Sequence, residues 1–286
     1  MREERTEKSI ILRAQVYQER HQIVTAFCQG SGKVQLVAQN SVSSKRYGGA
    51  LHVLTASELT FVVRPEREVW QLNEATQIHA FQDIRTSFER LSLASVFLDI
   101  VQRTAQPYEP SQELFILLSN ALYALHENSG QYSKNEPTIQ LEIYLYLVSF
   151  LSKILQWNGT QPQLLYCLEC KLPLDSHSKS SMNFLISRAG WMCANCKGSE
   201  KDQSLPLDVL TIGQFFKVLD TPIRKLSISD ALDKEALESL IFCLLKLLEF
   251  HVPGFDRTAI KPLQFILPDA LNPQSQSQPV GEIRPL

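Results

Sequence analysis

Short hydrophobic segments separated by turn residues make up the first 75 positions of the chain. The segments are rich in β-branched residues, which favour strands. Six of them are predicted as strands: 9–13, 22–28, 33–38, 51–54, 57–63 and 69–72. Gly30 and Gly32 provide a turn between the second and third strands. Five or six short strands at this spacing predict a small sandwich or barrel, and an OB-like barrel is one option.

The hydrophobic pattern changes from the strand period to the helical period near residue 81. Five helices are predicted: from about 81 to before Pro107, 111–126, 137–156, 205–219 and 229–250. Ser111 is suited to cap the second helix, because its hydroxyl can accept a hydrogen bond from a free main-chain N–H group. The third helix is apolar on nearly all sides around residues 143–148, which indicates a central position in the core. The chain is therefore predicted to be an α+β protein, β first and helical afterwards.

Two cysteine pairs with the same spacing interrupt the helical part, in a module predicted at about 164–198. Cys167 and Cys170 form the first pair, Cys193 and Cys196 form the second, and 22 residues separate the pairs. Four thiolates at this spacing can surround one Zn²⁺ ion tetrahedrally, and redox-active dithiols are the alternative. Four sulfur ligands leave no open coordination position, so the expected role of the zinc is structural.

The composition is that of a soluble globular protein: 44% of the 286 residues are hydrophobic and 20% are charged. The formal net charge is −2, so any site for a polyanion must be a local patch. The first residues are charged, and the long apolar stretch 143–152 ends at Lys153, so neither a signal peptide nor a membrane span is expected. The low cysteine content favours a reducing, cytoplasmic location.

No sequence motif indicates catalysis. The chain lacks the glycine-rich phosphate-binding motifs, the H-E-x-x-H motif of zinc proteases and the G-x-S-x-G motif of hydrolases. We therefore expect a protein that is not an enzyme. A hydrolase or a thiol oxidoreductase is the alternative, and the oxidoreductase predicts reactive cysteines.

One stretch of the N-terminal part is basic without any acidic residue. Between residues 20 and 56 the chain has no Asp or Glu but four Lys and Arg residues: Arg20, Lys33, Lys45 and Arg46. Such cations can follow a phosphate backbone while the rings of Tyr17 and Tyr47 stack on bases, as a site for single-stranded DNA requires. An ordinary loop surface is the alternative.

The chain resembles the bacterial RecO family of recombination mediators over about residues 9–198. The resemblance is carried by six short segments: Ile10-Ile11-Leu12-Arg13, His21-Gln22-Ile23-Val24-Thr25, Gly32-Lys33-Val34, Lys45-Arg46-Tyr47-Gly48-Gly49-Ala50-Leu51, Ser57-Glu58-Leu59-Thr60 and Leu72-Asn73-Glu74-Ala75. Their order, ahead of a helical region with two cysteine pairs, is the specific part. The chain departs from the family at Gln18-Glu19, where the family has Gly-Glu, and residues 1–8 and the Pro- and Gln-rich tail are additions.

The resemblance implies an N-terminal OB fold that binds DNA, followed by a helical domain with an inserted zinc module. We accordingly expect an OB-fold domain at 1–80, a helical domain at 81–265 and a disordered tail at 266–286. The resemblance also implies binding to single- and double-stranded DNA, annealing of complementary strands, and help in loading the recombinase onto strands coated by single-strand-binding protein. RecR and that coating protein are the implied partners, and no membrane partner is expected.

Carried over onto this sequence, the resemblance makes Lys33, Lys45 and Arg46 the leading candidates for DNA contacts, with Arg13 and Arg20 as weaker ones. Our main hypothesis is a DNA-binding repair mediator in the cytoplasm, at the nucleoid. The alternative is a zinc-stabilised protein-interaction scaffold whose barrel binds a protein instead of DNA.

Overall fold

The computed structural model of the chain describes residues 3–43, 45–127, 136–176, 181–196, 203–227 and 233–267. Five N-terminal strands close a small barrel: β1 Glu3–Tyr17, β2 His21–Cys28, β3 Gly32–Ala38, β4 Ala56–Val63 and β5 Trp70–His79. They are hydrogen-bonded in the order β1-β2-β3-β5-β4. Neighbouring strands are antiparallel apart from β3 and β5, which run parallel over residues 36–38 and 70–72. The predicted OB-like barrel is confirmed.

Alternate residues of the strands fill the barrel. On β2, Val24, Ala26 and Cys28 belong to the barrel core, whereas Phe27 belongs to the core of the helical part. The period of two along a strand therefore gives β2 two buried faces. Tyr47, in a short 3₁₀ turn at Lys45–Tyr47, also fills the barrel and is only 4% exposed. The prediction that Tyr47 stacks on bases is wrong, because its ring is inside the barrel.

Two predictions about the barrel strands are also wrong. The first strand begins at Glu3 and not at residue 9, because residues 3–8 form the first part of β1 and pair with β4, from Glu3 opposite Val63 to Lys8 opposite Glu58. Residues 51–54 form a turn and not a strand. Their hydrophobic character has another cause: Leu51 is buried in the barrel core and Leu54 in the helical core.

Six α-helices and a small sheet make up the rest of the described structure. The helices are α1 Phe88–Thr104, α2 Gln112–Glu127, α3 Glu136–Trp157, α4 Val209–Asp220, α5 Lys234–His251 and α6 Leu263–Ile266. The strands, hydrogen-bonded in the order β7-β6-β8, are β6 Ser181–Leu185, β7 Gly190–Cys193 and β8 Ser204–Asp208. The cap predicted at Ser111 is confirmed, since the N–H of Leu114 donates to Ser111 Oγ at 3.3 Å. The predicted fold class is confirmed as well.

The ends of several helices differ from the prediction. Residues 205–208 belong to β8 and not to a helix, and α4 begins only after Asp208 accepts a hydrogen bond from the N–H of Thr211 at 2.6 Å. A 3₁₀ turn at Gln82–Thr86 precedes α1. The predicted start of the last long helix, at 229, lies outside the described residues, and so does the tail from residue 268 onward.

The outer face of the barrel packs into the hydrophobic core of the helical part. Ile10, Leu12 and Phe27 on the outer face of the barrel belong to the helical cluster, and the rings of Phe27 and Phe115 lie 6.1 Å apart. The linker from α1 to α2, residues 105–111, packs on the start of β3. There the N–H of Tyr108 donates to the carbonyl of Lys33 at 2.9 Å.

The long helix α3 lies at the centre of the helical part and packs against α1, α2, α4 and α5. By length and composition alone, its span Thr138–Trp157 could cross a membrane, yet 72% of its apolar window is buried inside the molecule. The core helix of a soluble protein has the same properties, which agrees with the central position predicted for it.

Candidate metal centre and nucleic-acid interface

The four predicted zinc-ligand cysteines come together around one point. Their sulfur atoms all lie within 4.8 Å of one another, and each cysteine is free. The Sγ–Sγ distance is 3.9 Å for Cys167–Cys196, 3.8 Å for Cys170–Cys193 and 3.4 Å for Cys193–Cys196. A tetrahedron with metal–sulfur bonds of about 2.3 Å has edges of about 3.8 Å, whereas a disulfide brings its sulfurs to about 2.05 Å. The cluster therefore has the dimensions of a four-sulfur metal site.

Main-chain N–H groups stabilise one thiolate of the cluster, which favours a bound cation. Burial alone would raise the pKa of the Cys167 thiol, but the N–H groups of Cys193, Cys170 and Glu169 donate to its sulfur and hold the pKa at about 6. Contact with the sulfur of Cys193, together with burial and the other two thiols, raises the pKa of Cys196 to about 12. Cys167 thus loses its proton readily, and the negative charge of its thiolate disfavours deprotonation of the other thiols. A bound metal cation would remove that opposition.

Two turns hold the cysteines in place. The N–H of Leu168, in the first cysteine pair, donates to the carbonyl of Trp191 on β7 at 2.9 Å. The Trp191 indole is buried and donates to the carbonyl of Leu164 at 2.8 Å. Cys167 and Cys193 are buried, while Cys170 is exposed. A metal here would link two turns from distant parts of the sequence, as a structural metal does.

Two of the predicted DNA contacts lie at one end of the barrel. Arg20 is exposed in the turn between β1 and β2. Arg46 donates from Nη2 to the carbonyl of Asn73 at 2.6 Å, and its guanidinium lies 5.5 Å from the centre of the Tyr47 ring. The strand register brings them to the same end. Gln22, the second residue of β2, pairs with Ala38, the last residue of β3, and Ala38 also pairs with Leu72, which precedes Asn73 on β5. We call Arg20 and the turn Lys45–Tyr47 the basic end; the side chain of Lys45 lies outside the described structure.

Lys33 lies away from the basic end, next to the turn between β2 and β3. Its Nζ donates to the carbonyl of Gln102 on α1 at 2.6 Å, and burial lowers the pKa of its ammonium group. Arg13 is exposed on the outer face of β1, opposite Thr25, at a level between the two ends. The structure therefore does not bring the five predicted basic residues together into one groove.

Tyr108, which lies in the linker between α1 and α2, is a candidate contact that the sequence does not predict. Its φ of 59° is in the left-handed region, and the centre of its ring lies 4.9 Å from that of Trp70 on β5. The signal in the sequence is an aromatic residue between Pro107 and Pro110 in a linker. That signal does not reveal the contact with the barrel, because Trp70 is distant along the chain.

These features define a class of protein: a small closed β-barrel whose outer face packs against a helical domain carrying a four-thiol cluster. Residues 1–81 match the family described as Recombination protein O N terminal, and residues 85–254 match Recombination protein O C terminal. The chain belongs to the RecO family, as the resemblance predicted.

Relatives along most of the chain carry the same family name. The DNA repair protein RecO of Caldicellulosiruptor saccharolyticus is 27% identical over 221 residues, which are 77% of this chain and 82% of the relative. The DNA repair protein RecO of Syntrophus aciditrophicus is 26% identical over 270 residues, 91% of this chain and 95% of the relative. The family and its members are thus named for recombination and DNA repair.

Proposed function

We propose that the chain is a DNA-binding mediator of recombinational repair and not an enzyme. In this proposal it anneals complementary single strands and assists the loading of a recombinase onto strands coated by single-strand-binding protein. The observation that carries the proposal is the basic end of the barrel, which lies within a stretch free of Asp and Glu in a member of the RecO family. Such a protein would work in the cytoplasm, at the nucleoid.

The proposed mechanism is electrostatic. Complementary strands repel each other through their phosphates, so a surface that neutralises part of that charge lets them approach and pair. Arg20, Lys45 and Arg46 would contact phosphates at the basic end. Arg13 would be a further phosphate contact along the barrel, and Lys33 a further contact with the DNA. Because the net charge of the chain is −2, the attraction is confined to this surface and should weaken strongly with salt.

We also propose that Cys167, Cys170, Cys193 and Cys196 hold one structural Zn²⁺ ion. The support is the set of sulfur–sulfur distances, which suits tetrahedral coordination. Zinc would stabilise the helical domain. The bounds expected from the sequence are an OB-fold domain at 1–80, a helical domain at 81–265 and a tail at 266–286. Since Ile266 ends α6 and Leu267 is buried, we propose that the helical domain extends through residue 267.

For the protein partners, a RecR-like protein and single-strand-binding protein, we propose a docking groove on the helical domain. A groove of about 510 Å³ is lined by Glu113, Ile116, Leu117, Asn120, Lys153, Gln156, Trp157, Pro222 and Ile223. Ile116 is 47% exposed there, and Lys225 is an exposed cation two residues beyond Ile223. We propose that the occupant is an acidic C-terminal peptide of the coating protein, whose carboxylates would suit the cation and whose apolar side chains would suit the exposed isoleucine.

Annealing of two complementary fluorescent oligonucleotides by zinc-loaded protein tests the main proposal. We expect the wild-type protein to accelerate annealing at low salt and to do so less at moderate salt. The double variant Lys45→Glu with Arg46→Glu should lose this acceleration. The control, Lys217→Glu with Lys261→Glu, makes the same change in net charge on the exposed surface of the helical part and should anneal normally. Folded, zinc-loaded protein that gives no acceleration at low salt would favour the interaction scaffold instead.

Ile116→Glu tests the groove separately. The variant should anneal bare strands at the normal rate but lose binding to a C-terminal peptide of single-strand-binding protein. Unchanged peptide affinity in this variant would refute the proposed position of the docking groove.

A further inference from the structure

A polar cavity of about 320 Å³ lies between the barrel and the linker from α1 to α2. The barrel contributes Thr25 from β2 and Lys33 and Gln35 from β3, and the helical part contributes Gln102, Pro107 and Tyr108. Its volume is at the lower end of the range of about 300–1,000 Å³ that is usual for small-ligand pockets. A volume of this size can hold one ring system.

One wall of the cavity is an aromatic ring held in a fixed position. Tyr108 has a φ of 59°, a conformation that a bulky residue adopts only when its surroundings hold it there. Its N–H donates to the carbonyl of Lys33 at 2.9 Å, and its hydroxyl donates to the carbonyl of Glu68. Trp70 packs beside the ring with 4.9 Å between ring centres, yet the tyrosine remains 37% exposed. The ring is therefore both immobilised and accessible.

The other walls present hydrogen-bonding groups. Among the described residues, the side chains of Thr25, Gln35 and Gln102 have no hydrogen-bond partner in the protein, so their donors and acceptors are available. The Lys33 ammonium uses one N–H on the carbonyl of Gln102 and has no carboxylate partner in the described structure. An ammonium group has three N–H donors, which leaves two for a ligand.

The charges around the cavity argue against a phosphate as its ligand. Glu68 also lines the cavity, so the single cation, Lys33, is offset by a carboxylate. A neutral, flat ligand with donors and acceptors along its edge matches an aromatic wall and mixed polar groups better than an anion does. A nucleobase has these properties, and stacking on aromatic side chains is how proteins hold the bases of single strands.

We propose that this cavity binds one unstacked base of a single DNA strand, with Tyr108 stacking on the base and Lys33, Gln35 and Gln102 contacting its edge. The inference rests on the proposed function and adds a site for a base to the phosphate contacts proposed above. Arg13 suits a phosphate next to the bound base, because Arg13, Thr25 and Gln35 form one cross-strand row on the outer face of the barrel. Lys33 then acts on the base and not on the backbone.

The test uses a short oligothymidylate that contains one 2-aminopurine, whose fluorescence is quenched when it stacks. We expect quenching on binding to zinc-loaded wild-type protein and its loss in Tyr108→Asn. Asparagine tolerates a left-handed backbone, so this variant keeps the linker conformation. Stacking on one aromatic residue corresponds to a loss of affinity of about 5-fold or more for the single strand. Affinity for a duplex, whose bases are already stacked, should stay unchanged.

Three further variants distinguish loss of the stacking ring from other effects of the substitution. Tyr108→Phe keeps the ring and should quench normally. Phe216→Asn removes an aromatic ring that is 41% exposed on α4, in the helical part, and should also quench normally. Gln35→Ala changes an exposed side chain without touching the linker and should weaken single-strand binding. Equal quenching and affinity in wild type and Tyr108→Asn would overturn the base site while leaving the proposed function intact. No binding of any single strand at low salt would overturn both.

Discussion

Gly32 faces the main-chain oxygen of Glu109 so closely that a Cβ atom on Gly32 would lie 2.0 Å from that oxygen. The φ of Gly32 is 68°, in the left-handed region that glycine adopts without strain. The position therefore requires glycine both for its backbone conformation and for the space it leaves. This contact is where the linker between α1 and α2 rests on the barrel, next to Lys33 and Tyr108.

We expect Gly32→Ala to lower the free energy of unfolding by more than about 2 kcal/mol. Left-handed strain of roughly 1 kcal/mol would be added to the cost of displacing the backbone of the linker. Gly48→Ala is the matched control, because Gly48 has a φ of 49° but a Cβ atom added there would meet nothing within 4 Å, so that only the strain applies. Urea unfolding of both variants measures the difference. Equal losses of stability would contradict the close contact at Gly32.

Cys193→Ser should lower both the zinc content and the stability of the helical domain. Cys193 is buried and ends β7, so loss of its thiolate would leave the metal with three sulfur ligands and loosen the link between the two cysteine turns. The free energy of metal binding contributes directly to folding when the site forms only in the folded chain. Cys243→Ala is the control, since Cys243 is buried in α5 and should lose packing but not zinc. Metal analysis and thermal unfolding report the two effects, and normal zinc content in Cys193→Ser would refute the site.

A buried ion pair in the helical core gives a third prediction. Arg90 Nη2 lies 3.0 Å from Glu142 Oε2, and the two side chains are 6% and 2% exposed. Removing one partner of such a pair leaves an uncompensated charge and costs about 3–5 kcal/mol. We expect a loss of this size for Glu142→Gln and a smaller loss for the double variant Arg90→Met with Glu142→Leu, which buries no charge. Denaturant unfolding of wild type, the single variant and the double variant measures the two losses in the free energy of unfolding. A double variant that is less stable than Glu142→Gln would contradict it.

Features that depend on neighbours in the sequence were predicted well. Each cysteine pair lies in one tight turn, so its spacing predicted the cluster. Ser111 caps α2 through the N–H of Leu114, three residues further on, and this contact too is local. The alternation of buried residues along β3 likewise follows from the strand period.

Features that depend on distant residues were not predictable in this way. Leu51 and Leu54 have the hydrophobicity of a strand, but they are buried from a turn because two separate cores lie on either side of it. Lys33 is basic in the sequence, yet its ammonium is held by the carbonyl of Gln102, 69 residues away. The cavity at Tyr108 exists only because the linker returns to the barrel. No local sequence pattern predicts this contact between distant segments.

Lys153, which interrupts the apolar run of α3, gives a prediction about pH. Its ammonium donates to the carbonyls of Thr221 at 2.9 Å and Leu219 at 3.2 Å, at the C-terminal end of α4. Burial lowers the pKa of this ammonium from 10.5 to about 8, although the charge of Asp220 acts in the opposite direction. Between these two pKa values the unfolded chain binds a proton that the folded chain has released, so the contribution of Lys153 to stability rises with pH in that window.

We therefore expect wild-type protein to gain stability relative to Lys153→Met between pH 7.5 and pH 9.5, by up to about 2 kcal/mol. Burying the lysine destabilises the fold mostly below pH 8, because the side chain is charged there. Methionine has no proton to lose, so its contribution does not change with pH. Other groups titrate alike in both proteins and cancel in the difference. Lys217→Met, at an exposed position on α4, is the control and should follow the wild-type dependence. Urea unfolding at the two pH values measures the difference, and parallel curves for wild type and Lys153→Met would show that Lys153 is not the group that titrates.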